Sequence, residues 1–567
     1  MASPASAANP PGRRSRVPVL EWLRGYDRAW LPADAVAGLT AASVVIPKAM
    51  AYATVAGLPV QVGLYTAVVP LAVYAVLGGS RVLSVSTTTT LAILTASALG
   101  EAVPDASPAR LLTAAATLAL LVGAILVLAA VARLGFVANF ISEPVLGGFK
   151  AGIGLVILLD QVPKLLGIHV HKVGFLRDVL GILGHLDEIS VPTLLVAVGL
   201  AAVVLALERW APRVPAPLVA VALSIAASAW LGLPALGVRT VGAIPGGLPS
   251  PVRPDPALLG TLWPAAVGIA LMSFTETIAA GRAFAAPGDP RPSANRELFA
   301  TGIANAAGGL LGAMPSGGGT SQTAVNRRVG ARTQLAGLVT GLTTLATLVV
   351  LAPVLSLMPE VALSTIVVIY SVELVSLRDF RAIVAVRRTE FLWALTAFAG
   401  VVFLGTLRGI VVAVITSVVS LVHQTNNPPV YEVARRRGTH VFRRRSREDP
   451  DDQTYPGLVM VRVEGRIYFG NAQRVLDLLA PIVLAASPKV IVLECSAIFD
   501  VEYSALKMLA EAEERVRQRG AELWLAAVNP SVLRVVDRAP FGKALGPDRM
   551  CLDLEQAVER FLARSAR

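Results

Sequence analysis

The chain has 567 residues, 54% of them hydrophobic and 16% charged, and its 50 basic against 38 acidic residues give a net charge of +12. Soluble domains carry about 25% charged residues, so a wholly water-soluble protein is excluded. Of the charged residues, 41 lie in positions 431–567, which assigns the first three quarters of the chain to lipid and the last quarter to water.

Residues 1–30 are rich in Pro and Arg and lack the apolar run of a cleavable leader, so they read as a cytoplasmic N-terminal segment. No Asp, Glu, Lys or Arg occurs in 49–80, 82–100, 111–132, 214–238, 333–359 or 409–431. About 20 apolar residues cross a bilayer as a helix, so these windows exclude a single anchor. Apolar runs bounded by Gly, Pro and charge predict spans near 35–58, 63–79, 84–100, 110–131, 141–166, 191–208 and 214–232. A second set follows near 260–285, 293–312, 319–330, 333–356, 360–376, 389–407 and 409–424, while 173–188, mixed in polarity, reads as an interfacial helix. With the N-terminus inside, fourteen spans place 14 loop basic residues on the cytoplasmic side and 7 on the other. The positive charge thus reads as membrane orientation and not as nucleic-acid binding.

Fourteen divides as seven plus seven, and an odd-numbered repeat inserts upside down relative to its partner, the plan of many secondary transporters. Matching interruptions occur in both halves: the third span opens at Ser84, Val85, Ser86, Thr87, Thr88, Thr89, Thr90 and the tenth at Pro315, Ser316, Gly317, Gly318, Gly319, Thr320, Ser321. Unwound backbone at membrane depth survives only inside protein or beside a polar cavity. Two helix N-termini meeting there form an anion site, because free N–H groups and positive dipole ends converge. Hydroxyls of Thr87, Thr88, Thr320 and Ser321 add donors, and Gly317 to Gly319 allow close approach. The alternative is that these hydroxyls bond back within their helices and the glycines serve packing.

Among the few charges inside spans, two stand out. Lys48 follows Pro47 in the first span, and a lysine there costs about 2.5–3.5 kcal/mol on insertion scales; it reads as facing the bundle interior and holding the anion. Glu276 is the oddity of the eighth span, an intramembrane carboxylate that would load and release a proton; a static ion pair with Lys48 is the other reading.

From 426 the character changes. Leu458 to Arg466, Val490 to Cys495 and Leu523 to Val528 read as strands, and Ala505 to Arg519 and Leu552 to Leu562 as helices, giving a small cytoplasmic α/β domain over 426–567 behind a transmembrane domain over 31–425. Cys495 and Cys551 both lie in this tail, which fits a reducing compartment. No zinc, nucleotide-loop or other enzyme signature and no cofactor motif is legible, so the chain does not read as an enzyme.

Several motifs resemble those of the SulP anion transporters, the sulfate permease family with a C-terminal STAS domain. They are Ala37-Gly38-Leu39-Thr40 to Pro47 with Met50-Ala51-Tyr52-Ala53, Gly63-Leu64-Tyr65, and Val241 to Pro249. Others are Asn295-Arg296-Glu297-Leu298 with Gly302 to Asn305, and Thr323-Ala324-Val325-Asn326 with Gly330-Ala331-Arg332-Thr333. The resemblance implies an α-helical polytopic protein of 14 spans in a 7+7 inverted repeat, with core and gate domains and an elevator movement between them. It further implies an anion held between helices three and ten, with helices one and eight beside them, and a homodimer.

On this resemblance the substrate-binding residues are Lys48, Tyr52, Thr87, Thr88, Gly318, Gly319, Thr320, Ser321 and Gln322, and Glu276 couples a proton or sodium. Departures fall at the site itself. Lys48 stands where the first-helix motif has Gln, and Gln322 stands where the tenth helix has Arg, so Lys48 is expected to replace that arginine electrostatically. Ser86-Thr87 replaces a Gly-Pro of the third helix. In the tail, Glu502-Tyr503-Ser504-Ala505-Leu506 puts Tyr503 at the phospho-acceptor position of STAS domains, which argues against a phosphorylation switch.

The expected function is secondary-active transport of an inorganic anion, a proton-coupled sulfate or related oxyanion carrier in the plasma membrane. The alternatives are a sodium-linked bicarbonate transporter, a passive anion channel, and a transport-inactive signalling scaffold.

Overall fold

The computed structural model describes residues 19, 22, 23, 25–104, 107–139, 142–168, 170, 174–212, 214–244, 247–286, 289 and 292–565. Most of the N-terminal segment and Pro245-Gly246 of the Val241–Pro249 motif lie outside them. The chain divides into two compact units, Met1–Ser417 and Val418–Arg567.

The first unit is helical. In chain order its helices are α1 (Leu31–Val55), α2 (Val60–Leu77), α3 (Thr89–Ala102), α4 (Pro108–Val131), α5 (Glu143–Leu166), α6 (Phe175–Gly184), α7 (Val191–Trp210) and α8 (Ala216–Leu231). Then come α9 (Leu259–Ala283), α10 (Ala294–Leu310), α11 (Thr320–Val329), α12 (Leu335–Val350), α13 (Glu360–Val372), α14 (Leu377–Val386), α15 (Arg388–Leu404) and α16 (Thr406–Asn426), the last crossing the division between the units. A helix stands in each window predicted as a span, and 8 helical stretches are long and apolar enough to cross a membrane. The short α6 occupies the segment read as interfacial. The amphipathic α14, capped by Ser376 and ending at Arg387, is not among the predicted elements.

Small residues bring these helices together, as lipid-embedded helices require. They pack as two bundles: α1–α4 with α9–α12, and α5, α7, α8, α13 and α15. In the first, a Cβ on Gly63 of α2 would lie 1.9 Å from Ala49 O of α1, and one on Gly123 of α4 would lie 2.6 Å from Gly302 O of α10. In the second, a Cβ on Gly148 of α5 would lie 1.9 Å from Ala394 O of α15. Gly148→Ala must therefore push α5 and α15 apart, and overpacking of this kind costs about 1–3 kcal/mol. Gly147, with nothing within 4 Å of its own Cβ position, is the internal control. Thermal unfolding in detergent should fall by several degrees for Gly148→Ala and stay put for Gly147→Ala; equal midpoints would contradict the packing.

Motif residues of one half tie down the other. Asp34 of α1 is fully buried and accepts from Arg332 N (2.6 Å), Thr333 N (3.1 Å) and Thr333 Oγ1 (2.7 Å). Glu297 of α10, also fully buried, accepts from Tyr74 OH (2.6 Å) and Gly79 N (3.1 Å). Asn326 Nδ2 donates to Val82 O at 3.1 Å. A buried carboxylate is tolerated where several donors converge on it, which is what these residues arrange.

The second unit is α/β. Its strands, numbered after the two short strands β1 (Val85–Ser86) and β2 (Gly317–Gly318) of the first unit, are β3 (Val430–Arg435), β4 (Phe442–Arg444), β5 (Leu458–Val463), β6 (Val490–Glu494), β7 (Glu522–Ala526) and β8 (Met550–Cys551). Their order is β4-β3-β5-β6-β7-β8, parallel from β5 to β8, with β3 antiparallel to both neighbours. The helices are α17 (Ala472–Ala486), α18 (Tyr503–Gln518), α19 (Pro530–Arg538), α20 (Pro540–Leu545) and α21 (Leu554–Ser565). Alternation along the strands splits the core by face: Val459, Val461, Ile491, Leu493, Leu523 and Leu525 share one cluster, and Leu458, Met460, Val490, Val492 and Trp524 the other.

Candidate anion site

Helices α3 and α11 both begin inside the first bundle, each after a short strand. β1 and β2 pair antiparallel, Val85 opposite Gly318 and Ser86 opposite Gly317. The crossing is locked on several sides. Gly319 N donates to Ser84 O (2.9 Å) and Ser84 N to Thr323 Oγ1 (3.1 Å). From α9, Ser273 Oγ donates to Ser316 O (2.6 Å) and Thr277 Oγ1 accepts from Gly318 N (3.0 Å). Gly318 is required here, since a Cβ would lie 2.6 Å from Thr277 Cα. The alternative that the glycines merely serve packing is thus half right: they pack, and in packing they bring two helix starts face to face.

A cavity of about 240 Å³ opens at this meeting point, smaller than the roughly 300–1,000 Å³ of pockets for drug-sized molecules. Lys48, Tyr52, Thr87, Thr88, Gly318, Gly319, Thr320, Ser321, Gln322 and Glu276, the residues expected to bind the substrate and its coupling ion, line it, while Gly317 does not. Thr87 is 1% exposed and its Oγ1 has no hydrogen-bond partner. Thr88 caps α3, accepting from Leu91 N, and donates to Glu276 Oε2 at 2.8 Å. Gln322 Oε1 accepts from Ser86 Oγ (2.8 Å) and Ser84 Oγ (3.3 Å). Lys48 is 4% exposed, with Nζ 3.7 Å from the ring centroid of Tyr370.

Sequence reasoning missed Lys150 of α5, Tyr370 of α13, Glu373 just beyond it, and Thr89 and Thr90 of α3, all of which line the same cavity. Lys150, a cation inside the predicted span 141–166, was the available signal. The alternative reading of Glu276 as a static ion pair with Lys48 is corrected. Lys48 stacks on Tyr370, and the carboxylates whose charge reaches it are Glu373 and Glu208. Glu276 instead accepts from Thr88 and shares the cavity lining with Lys150.

In the second unit Tyr503 opens α18 and is 79% exposed, while Arg466 pairs with Asp500 at 2.8 Å and with Glu502. Burial pushes the Cys495 thiol well above the usual thiol range, so it stays protonated and inert at neutral pH.

A model of the sulfate permease family matches residues 31–397, and a STAS domain model matches 449–557. A probable sulfate transporter of Mycobacterium tuberculosis (strain ATCC 25618 / H37Rv) is 35% identical over 552 residues, covering 96% of this chain and 97% of that one. Probable sulfate transporter 4.2 of Arabidopsis thaliana is 30% identical over 567 residues, covering 96% and 83%. Among solved structures, the murine solute carrier 26 family member A9 anion transporter in the inward-facing state superposes with a TM-score of 0.89 at 21% identity, covering 99% of this chain and 97% of that one. The transmembrane domain of the cyanobacterial bicarbonate transporter BicA superposes with a TM-score of 0.58 at 23% identity, covering 69% and 98%. Apolar helices, a polar crossing at two helix starts, a C-terminal α/β unit and these matches lead to one conclusion: the chain belongs to the sulfate permease family, as a multi-pass membrane anion transporter with a C-terminal STAS domain.

Proposed function

We propose that the chain is a secondary-active carrier for sulfate or a related oxyanion, driven inward by protons. The observation that carries this reading is the Thr87 hydroxyl, buried in the cavity without a partner between two helix N-termini and beside Lys48. A buried hydroxyl left unbonded is costly, and an oxyanion supplies the acceptor it lacks. The relatives named as sulfate transporters favour sulfate. Elevator movement of the first bundle against the second carries the site, Glu276 carries the proton, and the carrier works as a homodimer in the plasma membrane. Residues 31–425 form the transport domain, and the N-terminal segment 1–30 and the STAS domain over 426–567 lie in the cytoplasm; the STAS domain supports the dimer.

A sodium-linked bicarbonate carrier is the second reading, supported by the likeness to BicA and by an acidic residue beside the site. Proteoliposome uptake of labelled sulfate and bicarbonate under imposed pH and sodium gradients separates the two. An acid exterior should raise sulfate accumulation, and Glu276→Gln should abolish that response while sulfate still equilibrates. Uptake that follows sodium alone would establish the second reading. Linear, unsaturable flux would indicate a channel, and no flux of any anion a scaffold.

A further inference from the structure

The second unit holds a cavity of its own, of about 300 Å³, between α17 and α18 on one face of the sheet. Its floor is Val461 of β5, Leu493 of β6 and Leu523 of β7. Leu479 and Val483 of α17 and Leu509 and Val516 of α18 form its walls, and Ala480 and Ala512 on the same two helices are too short to close it. Core atoms beside a void lose the contacts that a close-packed interior gives, so a gap of this size works against the stability of the domain. Leu484 lines it as well and is 60% exposed, so the cavity opens to solvent.

Polarity enters at one place. Of the residues lining the cavity, Arg515 and Arg519 alone are polar. Four positions apart, they stand on one side of α18 and its C-terminal end. Arg515 Nε donates to Glu511 O at 3.1 Å. Among the described residues neither arginine joins an ion pair, whereas Arg517 between them pairs with Glu514.

We infer that this cavity binds a fatty acid, its acyl chain against the floor and walls and its carboxylate on Arg515 and Arg519 at the mouth. A hydrocarbon lining offers no partner to a buried hydroxyl, amide or phosphate, and burying such groups unbonded is costly, which excludes sugars and nucleotides. An uncharged hydrocarbon would fill the space but leave both guanidiniums unused, while a carboxylate accepts the paired N–H groups that a guanidinium presents. At about 30 Å³ for a water-sized group the cavity has room for about ten methylenes, the length of one medium acyl chain. The N-terminal segment of the chain itself does not fit, since it brings Arg13, Arg14 and Arg16 and no acid before Glu21.

The test is photolabelling of the full chain in lipid nanodiscs by a dodecanoic acid that carries a diazirine, followed by peptide mapping. Label is expected on α17 and α18, and an excess of unmodified dodecanoate should remove it. Ala512→Phe, which fills the gap, should cut this labelling about tenfold or more by steric exclusion. The Arg515→Gln/Arg519→Gln variant should cut it roughly fivefold, the scale of two solvent-exposed ion pairs. Both arginines are on the surface, so this variant reports on the site even where the filled one fails to fold. The same probe with an alcohol in place of the acid should label the wild type as weakly as the acid labels the double arginine variant. Label that is absent from α17 and α18, or that unmodified dodecanoate does not displace, overturns the inference. Equal labelling by acid and alcohol, or by wild type and the double arginine variant, overturns it too.

Discussion

Lys48→Gln should weaken sulfate uptake by roughly 10- to 100-fold in apparent affinity while the protein remains folded. The charge sits at 4% exposure beside two helix starts, where a charge-assisted hydrogen bond contributes about 1.5–3 kcal/mol and each 1.4 kcal/mol is tenfold in binding. Glutamine is one atom shorter but keeps an N–H donor, so packing under α13 changes little and the loss reports mainly the charge. Gln322→Arg tests the exchange of charge between the facing helices. Its side chain would give up an acceptor used by Ser84 and Ser86, yet serine hydroxyls can turn and the guanidinium would point its donors at the cavity. The Lys48→Gln/Gln322→Arg double variant should therefore recover part of the affinity. Saturable uptake by Lys48→Gln at the wild-type affinity would refute the assignment of Lys48 to the anion.

Trp524→Ala should unfold the STAS domain well below the wild-type temperature. Trp524 is the largest side chain buried completely; its indole N–H donates to Glu522 at 2.8 Å and the Arg564 guanidinium lies 5.1 Å from its ring. Removing a core tryptophan costs about 3–5 kcal/mol, a large part of the 5–15 kcal/mol that holds a domain together. Cys495 and Cys551, both buried and free, give a direct readout. They should resist alkylation at neutral pH in the wild type and react in Trp524→Ala at temperatures where the wild type does not. Equal labelling of the two proteins across the transition would show that the tryptophan contributes little.

The site was legible because polarity is conspicuous against an apolar background. Ser84 to Thr90 and Pro315 to Ser321 interrupt long charge-free runs, and Lys48 and Glu276 stand within them; all four features meet in one cavity. Partnership was less legible. Corresponding positions in two repeats do not fix which residues become neighbours: Lys48 stacks on Tyr370 of the other bundle, and Glu276 accepts from Thr88 of its own. Lys150 did not stand out because its window also holds Glu143, Asp160 and Lys164, and Glu373 because it falls near the end of the predicted span 360–376, where a charge is ordinary. In the tail, β3 and β4 escaped notice for a similar reason. Arg435–Arg437 and Arg443–Arg445 crowd them with charge, and a strand at the sheet margin needs only one apolar face.

The antiparallel contact of β1 with β2 has a consequence for thermodynamics. It joins α3 to α11 through backbone groups and is braced from α9 by Ser273 and Thr277, so any displacement of the first bundle carries the cradle unchanged. An ion resting in it would keep the same donors whether it had entered from one side of the bilayer or the other. If the first bundle moves against the second, as proposed, any difference in affinity between the two sides originates in what the second bundle adds to the cavity, and mutations there would shift the balance between the two facing states.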